Sequence, residues 1–182
     1  MAEPGFIRGE LDTKLLILYI TARLTEPVPF DTVLDLAMCD DGVQYFEFSE
    51  CLQDLVKKEN LTLSKDGLYS ITEKGMRNGE IGESSLPYSV RLRCDKNVEA
   101  CNRKLRRKRQ VRTTCTQRPN GTYTVRLVLD DDLGNLMDLK LMAVQKDMAD
   151  HLSMRFSAAP EGIYNEIMNL LLSELPEESR ES

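Results

Sequence analysis

Residues 61–71 constrain the fold of this chain more than any other segment. Two runs that alternate apolar and polar residues flank Lys65-Asp66-Gly67, and Asp-Gly between alternating runs is the strongest short-range signal of a β-hairpin. Thr72 follows at a position suited to capping a new helical turn. We therefore predict two antiparallel strands joined by a tight turn, with a helical turn directly after them.

Three helical segments are predicted before this hairpin. The first carries apolar residues at helical spacing and ends at Pro27 and Pro29. Asp31 can cap a short second helix that carries Val33, Leu34, Leu36 and Ala37, and a third helix covers about residues 45–59. The apolar positions of the first helix are Leu11, Leu15, Leu18, Tyr19, Ala22 and Leu24, and those of the third are Phe48, Cys51, Leu52, Leu55 and Val56. Three helices followed by a hairpin are the layout of a winged helix, a helix-turn-helix variant.

A change of composition separates this region from the rest of the chain. Gly79, Gly82, Ser84, Ser85 and Pro87 predict a linker, which we place at residues 81–87. After it we predict a strand at 88–93, a helix from Asp95 into the basic run 103–109, strands at 110–116, 123–129 and 136–144, a helix at 146–156, and a last helix from Pro160 to about residue 175.

The predicted fold class is therefore α+β. Residues 1–80 form an N-terminal winged helix of three helices plus a β-hairpin wing, and residues 81–87 form the linker. Residues 88–176 form a small α+β domain with a mainly antiparallel sheet and C-terminal helices, which we expect to serve assembly or ligand sensing. Residues 177–182 form a tail.

The charge is strongly polarised along the sequence. Residues 1–80 hold 8 Lys/Arg and 15 Asp/Glu, residues 87–129 hold 12 and 2, and residues 130–182 hold 4 and 12. A chain of net charge −6 can therefore still present one basic surface. Such a surface suits a polyanion, or equally the acidic parts of the same protein or of a second copy.

Several classes of protein are not expected. No run of about 18 apolar residues occurs, which argues against a membrane span, and Met1-Ala2-Glu3-Pro4-Gly5 lacks the layout of a signal peptide. The five scattered cysteines do not suggest a disulfide framework. We therefore predict a cytoplasmic protein.

No enzyme is predicted either. The sequence has no glycine-rich phosphate loop, no CxxC pair and one histidine, His151, on a predicted helix. The acidic run 130–135 lacks the spacing of a calcium loop. Catalytic residues, a metal and a cofactor are therefore not expected.

Three short motifs carry a family resemblance. Residues 69–75, Tyr-Ser-Ile-Thr-Glu-Lys-Gly, resemble the wing and exit of bacterial winged-helix transcription regulators. Residues 6–14, Phe-Ile-Arg-Gly-Glu-Leu-Asp-Thr-Lys, and the turn at 39–46 resemble more specifically a bacterial family catalogued as domain of unknown function 4364. That resemblance covers most of the chain. It implies a winged helix followed by a small α+β domain, and a role in transcriptional regulation.

The third helix is the expected reader of DNA, because this helix enters the major groove in helix-turn-helix proteins. Its outward set includes three carboxylates, Glu47, Glu50 and Asp54, which oppose the phosphates of a duplex. Two hypotheses therefore stay open: a DNA-binding regulator, and a protein-interaction module whose acidic winged helix does not bind DNA. The candidate DNA-binding residues in this region are Gln44, Ser49, Gln53, Lys57, Lys58 and, on the wing, Lys65.

The basic run 103–109 is a second candidate surface. Arg103, Arg106 and Arg107 could hold a phosphate backbone, aided by Arg91 and Arg93 on one face of the predicted strand. A solvated helix end that complements the helix dipole is an equal alternative. A polyanion-binding protein that uses this run alone is a third functional hypothesis.

The last helix is apolar over a wide arc, which indicates either a core helix or a helix that pairs with a partner. Winged-helix regulators usually act as two-fold dimers. We therefore predict a homodimer, with core packing alone as the alternative.

Overall fold

The computed structural model describes residues 6–173, which form an α+β fold as predicted. These residues contain seven α-helices and two antiparallel three-stranded sheets. The chain divides into two compact units, Met1–Leu105 and Arg106–Ser182, so the division falls later than the predicted linker. Residue 175 of the predicted last helix and the predicted tail at 177–182 lie outside the described residues.

The first unit contains the three predicted helices and the hairpin. A short strand, β1, pairs antiparallel with β3 on the side away from β2 and was not predicted from sequence. The elements are α1 Gly9–Arg23, β1 Val28–Pro29, α2 Phe30–Ala37, α3 Tyr45–Lys57, β2 Leu61–Leu63, β3 Leu68–Ile71, α4 Glu73–Gly82, a 3-10 turn Glu83–Ser85 and α5 Tyr88–Gln110. Residues 106–110 of α5 belong to the second unit.

Helix α1 is buried on nearly all sides rather than along one stripe. Leu16, Ile17 and Ile20 are fully buried, whereas Leu11, which the sequence placed on the apolar face, is 69% exposed. A helix that is apolar all round lies inside a core. Helices α2, α3 and α4 and strand β3 all pack against α1, which makes it the centre of the first unit.

The predicted linker at 81–87 is wrong in its secondary structure. Helix α4 runs to Gly82, a 3-10 turn follows, and Leu86 is buried in the core. The glycines serve a close approach of helices rather than flexibility, since a Cβ on Gly82 would come within 2.1 Å of the Leu15 side chain. Thr72 caps α4 as predicted, because its hydroxyl accepts a hydrogen bond from the Gly75 amide at 3.0 Å.

The predicted strand at 88–93 is also wrong, because these residues begin α5. The strand was predicted because Val90 and Leu92 alternate with polar residues, as on one face of a strand. In the structure Val90 is buried, whereas Leu92 is 57% exposed. The longer pattern of Val90, Cys94 and Val98, four residues apart, buries one helix face. Asp95 is inside this helix rather than at its start, and it accepts a 2.8 Å hydrogen bond from the Tyr19 hydroxyl.

The second unit follows the predicted order of three strands and two helices. Strand β5 is central and pairs antiparallel with β4 and β6. Val125, Leu127 and Leu129 of β5 pack with Phe156 to form a separate core. The elements are β4 Val111–Gln117, β5 Tyr123–Asp130, β6 Asn135–Ala143, α6 Lys146–Ala158 and α7 Pro160–Leu172.

None of the helices within residues 6–173 is both long enough and apolar enough to cross a membrane.

A buried carboxylate fixes the turn between α2 and α3. Asp40 Oδ1 accepts hydrogen bonds from the amides of Ile7 at 3.1 Å and Gly42 at 3.0 Å, and its Oδ2 lies 2.8 Å from Arg93. Burial opposes ionisation of Asp40, but the backbone amides and Arg93 outweigh it and lower the pKa of the carboxyl below its ordinary value. Asp40 therefore holds the N-terminal segment, the turn and α5 together.

We expect Asp40→Ala to lower the free energy of unfolding by about 2–4 kcal/mol, because it leaves buried amide donors without an acceptor. Since the pKa of Asp40 is lowered in the folded state, this contribution is present above the ordinary aspartate pKa and is lost as the pH falls through the folded value. Urea unfolding at pH 7 and pH 3 measures both effects. The exposed neighbour offers a control, and Asp41→Ala should stay within about 0.5 kcal/mol of the parent; equal losses would contradict the role of Asp40.

Candidate nucleic-acid interface

One face of α3 is open to solvent. Phe48, Cys51, Leu52 and Leu55 are buried against the core. On the opposite side, Phe46, Glu50, Gln53 and Lys57 are exposed at spacings of four, three and four residues, which places them in one stripe. We call these four residues the α3 stripe.

The predicted DNA-binding residues of this region lie on or beside the α3 stripe. Gln53 and Lys57 belong to it, and Ser49 is half-buried next to it. Gln44 is exposed and extended, immediately before the helix begins. Lys58 follows the last residue of the helix and is held by Asp54 at 2.8 Å, so it is less available to a phosphate than Lys57.

The predicted wing residue, Lys65, lies on the hairpin turn. Lys65 is exposed, and the turn is closed by hydrogen bonds from the Ser64 amide to the Leu68 carbonyl at 2.9 Å and from the Gly67 amide to the Ser64 carbonyl at 3.0 Å. Gly67 has φ +77°, a backbone conformation that favours glycine. Strand β2 packs against α3, so the stripe and the turn belong to the same small unit.

The predicted set of three outward carboxylates on α3 is corrected by the structure. Glu47 is half-buried and accepts a 3.5 Å hydrogen bond from Thr13 of α1. Asp54 is half-buried and forms ion pairs with Lys14 of α1 and with Lys58. Glu50 is the one carboxylate of the three that is exposed. The electrostatic repulsion between α3 and the phosphates of DNA is therefore smaller than the sequence suggested.

The pair between Lys14 and Asp54 is reflected in the acidity of both groups. Hydrogen bonds from Lys14 and then from Lys58 lower the pKa of Asp54 to about 2. Hydrogen bonds to Asp54 and then to Glu10 raise the pKa of Lys14 well above its ordinary value. Both groups stay charged at neutral pH, and the negative charge of Asp54 is neutralised inside the unit.

Sequence reasoning missed two aromatic side chains at the start of α3. Phe46 is 81% exposed and Tyr45 is 53% exposed. Their rings form edge-to-face contacts, at 5.5 Å between Tyr45 and Phe46 and 6.0 Å between Tyr45 and Phe30, and Phe30 contacts the buried Phe48 at 5.7 Å. The position of Phe46, four residues before Glu50, is the signal that could have placed it on the stripe.

The residues of the basic run at the end of α5 differ in whether their side chains form ion pairs. In the first unit, Arg103 pairs with Glu99 at 2.8 Å. In the second unit, both terminal nitrogens of Arg107 bind the carboxylate of Glu161 on α7. Among residues 6–173, the side chains of Lys104, Arg106 and Lys108 make no hydrogen bond or ion pair. Two of the three predicted residues of this run, Arg103 and Arg107, thus have carboxylate partners already, whereas Arg106 has none among the described residues.

The expected support from Arg91 and Arg93 does not occur, because both lie on α5 rather than on one face of a strand. Arg91 is half-buried over the Tyr88 ring at 5.9 Å and 3.7 Å from Glu83. Arg93 binds Asp40. Both cations therefore serve contacts within the first unit.

Comparison with known families matches residues 13–171 to a domain of unknown function, DUF4364. The chain belongs to the DUF4364 family. The DUF4364 match includes α3, the hairpin, α5 and the whole second sheet. It confirms the family that the motifs at residues 6–14 and 39–46 predicted. Neither the curated proteins nor the solved structures include a match to this chain.

We expect Lys14→Met to raise the pKa of Asp54 from about 2 toward its ordinary value, because the largest stabiliser of the charged carboxylate is removed. A pH titration of the side-chain carboxyl carbons by NMR measures this. Lys57→Met removes the same charge from the exposed side of α3 and should leave Asp54 unchanged. An ordinary pKa for Asp54 in the parent protein would show that Lys14 does not neutralise it.

Proposed function

We propose that this DUF4364 chain is a winged-helix transcriptional regulator that binds DNA as a homodimer. The element order of the first unit, helix, strand, two helices and a hairpin, with β1 joining the sheet beside β3, supports a winged helix. In this proposal α3 is the recognition helix and the β2–β3 hairpin is the wing.

The α3 stripe is the observation that carries the proposal. A recognition helix must offer polar groups to base edges and cations to phosphates. Gln53 can make paired hydrogen bonds to adenine, and Phe46 can contact a thymine methyl. Lys57 and the wing residue Lys65 are exposed and would bind phosphates on either side of the groove. Ser49 and Gln44 would add hydrogen bonds at the N-terminal end of the helix.

The net charge of residues 1–80 argues against DNA binding, but the ion pairs inside the first unit weaken that argument. A net charge of −7 over residues 1–80 would repel a duplex if it were spread evenly over the surface. Asp54 is paired with Lys14 and Lys58, and Asp40 is paired with Arg93, which lies outside residues 1–80. These carboxylates neutralise local cations and are absent from the α3 stripe, where Glu50 alone opposes the phosphates.

The second unit supports the homodimer through α7. Its partly buried residues Ile163 and Tyr164 pack on the sheet core, but its end is open: Leu170, Leu171 and Leu172 are 75%, 75% and 76% exposed. Three adjacent exposed leucines are unusual on a monomer surface. A two-fold axis through this end would cover them with the same residues of a second copy.

A second function, binding of a protein partner through the first unit, is favoured by one observation. Phe46 and Tyr45 are exposed together at the start of α3, and aromatic side chains are enriched at the centres of protein interfaces. In this alternative Glu50 faces a cation of the partner instead of opposing DNA. The two functions differ in whether Lys57 or Phe46 carries most of the binding energy.

Selection of random duplex DNA by the full-length protein tests the leading proposal. On an enriched duplex, Lys57→Ala should weaken binding and reduce the slope of log affinity against log salt by about 0.9, the value of one phosphate contact. Gln53→Ala should cost about 1–3 kcal/mol and relax the preference at one base pair.

Lys140→Ala is the matched control, since Lys140 is exposed on β6 of the second unit and carries the same charge. Equal effects of Lys57→Ala and Lys140→Ala would contradict recognition by α3. A loss confined to Arg106→Ala would assign DNA to the basic run instead. Absence of any retained duplex would support the protein-binding alternative.

Light scattering at micromolar concentration should give twice the chain mass of 20.7 kDa. Leu171→Asp should return the mass of one chain, because a buried carboxylate at the dimer axis is costly. Asn169→Asp, which adds the same charge at another exposed position of α7, should leave the dimer intact. A parent protein with the mass of one chain would remove the homodimer from the proposal.

A further inference from the structure

Two cysteines of the first unit lie in contact. Cys39 follows α2 in the turn that leads to α3, and Cys94 lies within α5. Their sulfur atoms are 3.1 Å apart. Cys94 is buried and Cys39 is half-buried, so Cys39 is the more accessible residue of the pair.

The neighbouring residues on both segments hold the sulfurs in this position. Asp40, next to Cys39, binds Arg93, next to Cys94, at 2.8 Å. The other oxygen of Asp40 is fixed by the amides of Ile7 and Gly42. A disulfide has a sulfur–sulfur distance of about 2.05 Å, so about 1 Å of closure separates the present contact from a covalent bond.

The two thiols are chemically unequal. The hydrogen bond from the Cys94 thiol lowers the pKa of Cys39 below its ordinary value, with further help from Arg93 and against the effect of burial. The same hydrogen bond and burial raise the pKa of Cys94. Because the thiolate is the nucleophile in thiol chemistry, Cys39 is the group that reacts first and Cys94 is placed to attack it afterwards.

We propose that Cys39 and Cys94 form an oxidation site at which a hydroperoxide converts the two thiols to an intramolecular disulfide. The Cys39 thiolate attacks one peroxide oxygen, the O–O bond breaks, and the departing hydroxide takes up a proton to leave as water. The resulting sulfenic acid is attacked by the Cys94 sulfur, the S–O bond breaks, and the hydroxyl leaves with the Cys94 proton as a second water. Two thiols lose two electrons, and one hydrogen peroxide becomes two waters.

The other three cysteines have no such arrangement. Burial raises the pKa of Cys51 to about 11 and also raises the pKa of Cys101, and Cys115 is exposed on the second sheet. A metal site is not the explanation of the pair, because no group of three His, Cys, Asp or Glu able to hold a metal occurs within residues 6–173. The geometry therefore singles out Cys39 and Cys94.

The disulfide would tie the turn before α3 to α5 by a covalent bond across 55 residues of sequence. Closing so long a loop restricts the unfolded chain, so the oxidised protein should have a higher thermal midpoint than the reduced protein. The disulfide would constrain the segment that leads into α3, whatever α3 binds. The oxidation proposal therefore does not rest on the function proposed above.

The test uses the full-length protein in its reduced form, treated with one equivalent of hydrogen peroxide and then with an alkylating reagent. We expect two of the five thiols to become protected, a Cys39–Cys94 cross-linked peptide in the unreduced digest by mass spectrometry, and full reversal by dithiothreitol. Five alkylated thiols, or a cross-link that joins two chains or another pair of cysteines, would overturn the proposal.

Variants test the order of events. Cys94→Ala should leave a sulfenic acid on Cys39 that dimedone traps, whereas Cys115→Ser should still form the cross-link. Arg93→Gln should slow the loss of thiols several-fold, while Lys96→Gln, on the exposed side of α5, should not. If Cys94→Ala retains its helical circular dichroism and dimedone labels Cys115 but not Cys39, the proposed nucleophile is wrong; the cross-link in the parent protein decides the pairing even if that variant does not fold.

Discussion

The burial of α1 is the constraint on which the first unit depends. Leu16, Ile17 and Ile20 have no exposed surface, so α2, α3, α4 and the sheet must surround this helix to remove its apolar residues from water. Each surrounding helix then has one face fixed against α1 and one face left to solvent. The α3 stripe exists because α3 gives Phe48, Cys51, Leu52 and Leu55 to this core.

Charge in the first unit is organised by the same packing. Lys14 projects from α1 and neutralises Asp54 of α3, and Arg23 at the end of α1 pairs with Glu83 and Asp95. Asp40 is bound by Arg93 of α5. Two carboxylates of residues 1–80, Asp54 and Asp40, are thus neutralised by cations within the unit. The number of acidic residues therefore overstates the negative charge that a ligand at the α3 stripe would meet.

Local patterns predicted most of the fold, and long-range contacts set the rest. The hairpin followed from Asp66-Gly67 because turn chemistry is local, and the strands of the second sheet followed from their alternation and turns. Val90 and Leu92 alternate over too few residues to separate a strand from a helix, and the glycines of α4 were interpreted as a linker because their neighbour Leu15 is distant in sequence. For the site, Gln53 and Lys57 followed from helical spacing, but the pairing of Asp54 with Lys14, 40 residues away, required the tertiary structure.

The most direct test of a DNA-binding α3 is NMR mapping of the full-length protein with a duplex recovered by selection. Amide shifts of the isotope-labelled chain would be followed as the duplex is added at near-physiological salt. The account predicts the largest changes at Phe46, Glu50, Gln53 and Lys57 and at the turn around Lys65, with small changes at residues 103–109. Changes confined to residues 103–109, with the α3 stripe unaffected, would contradict it.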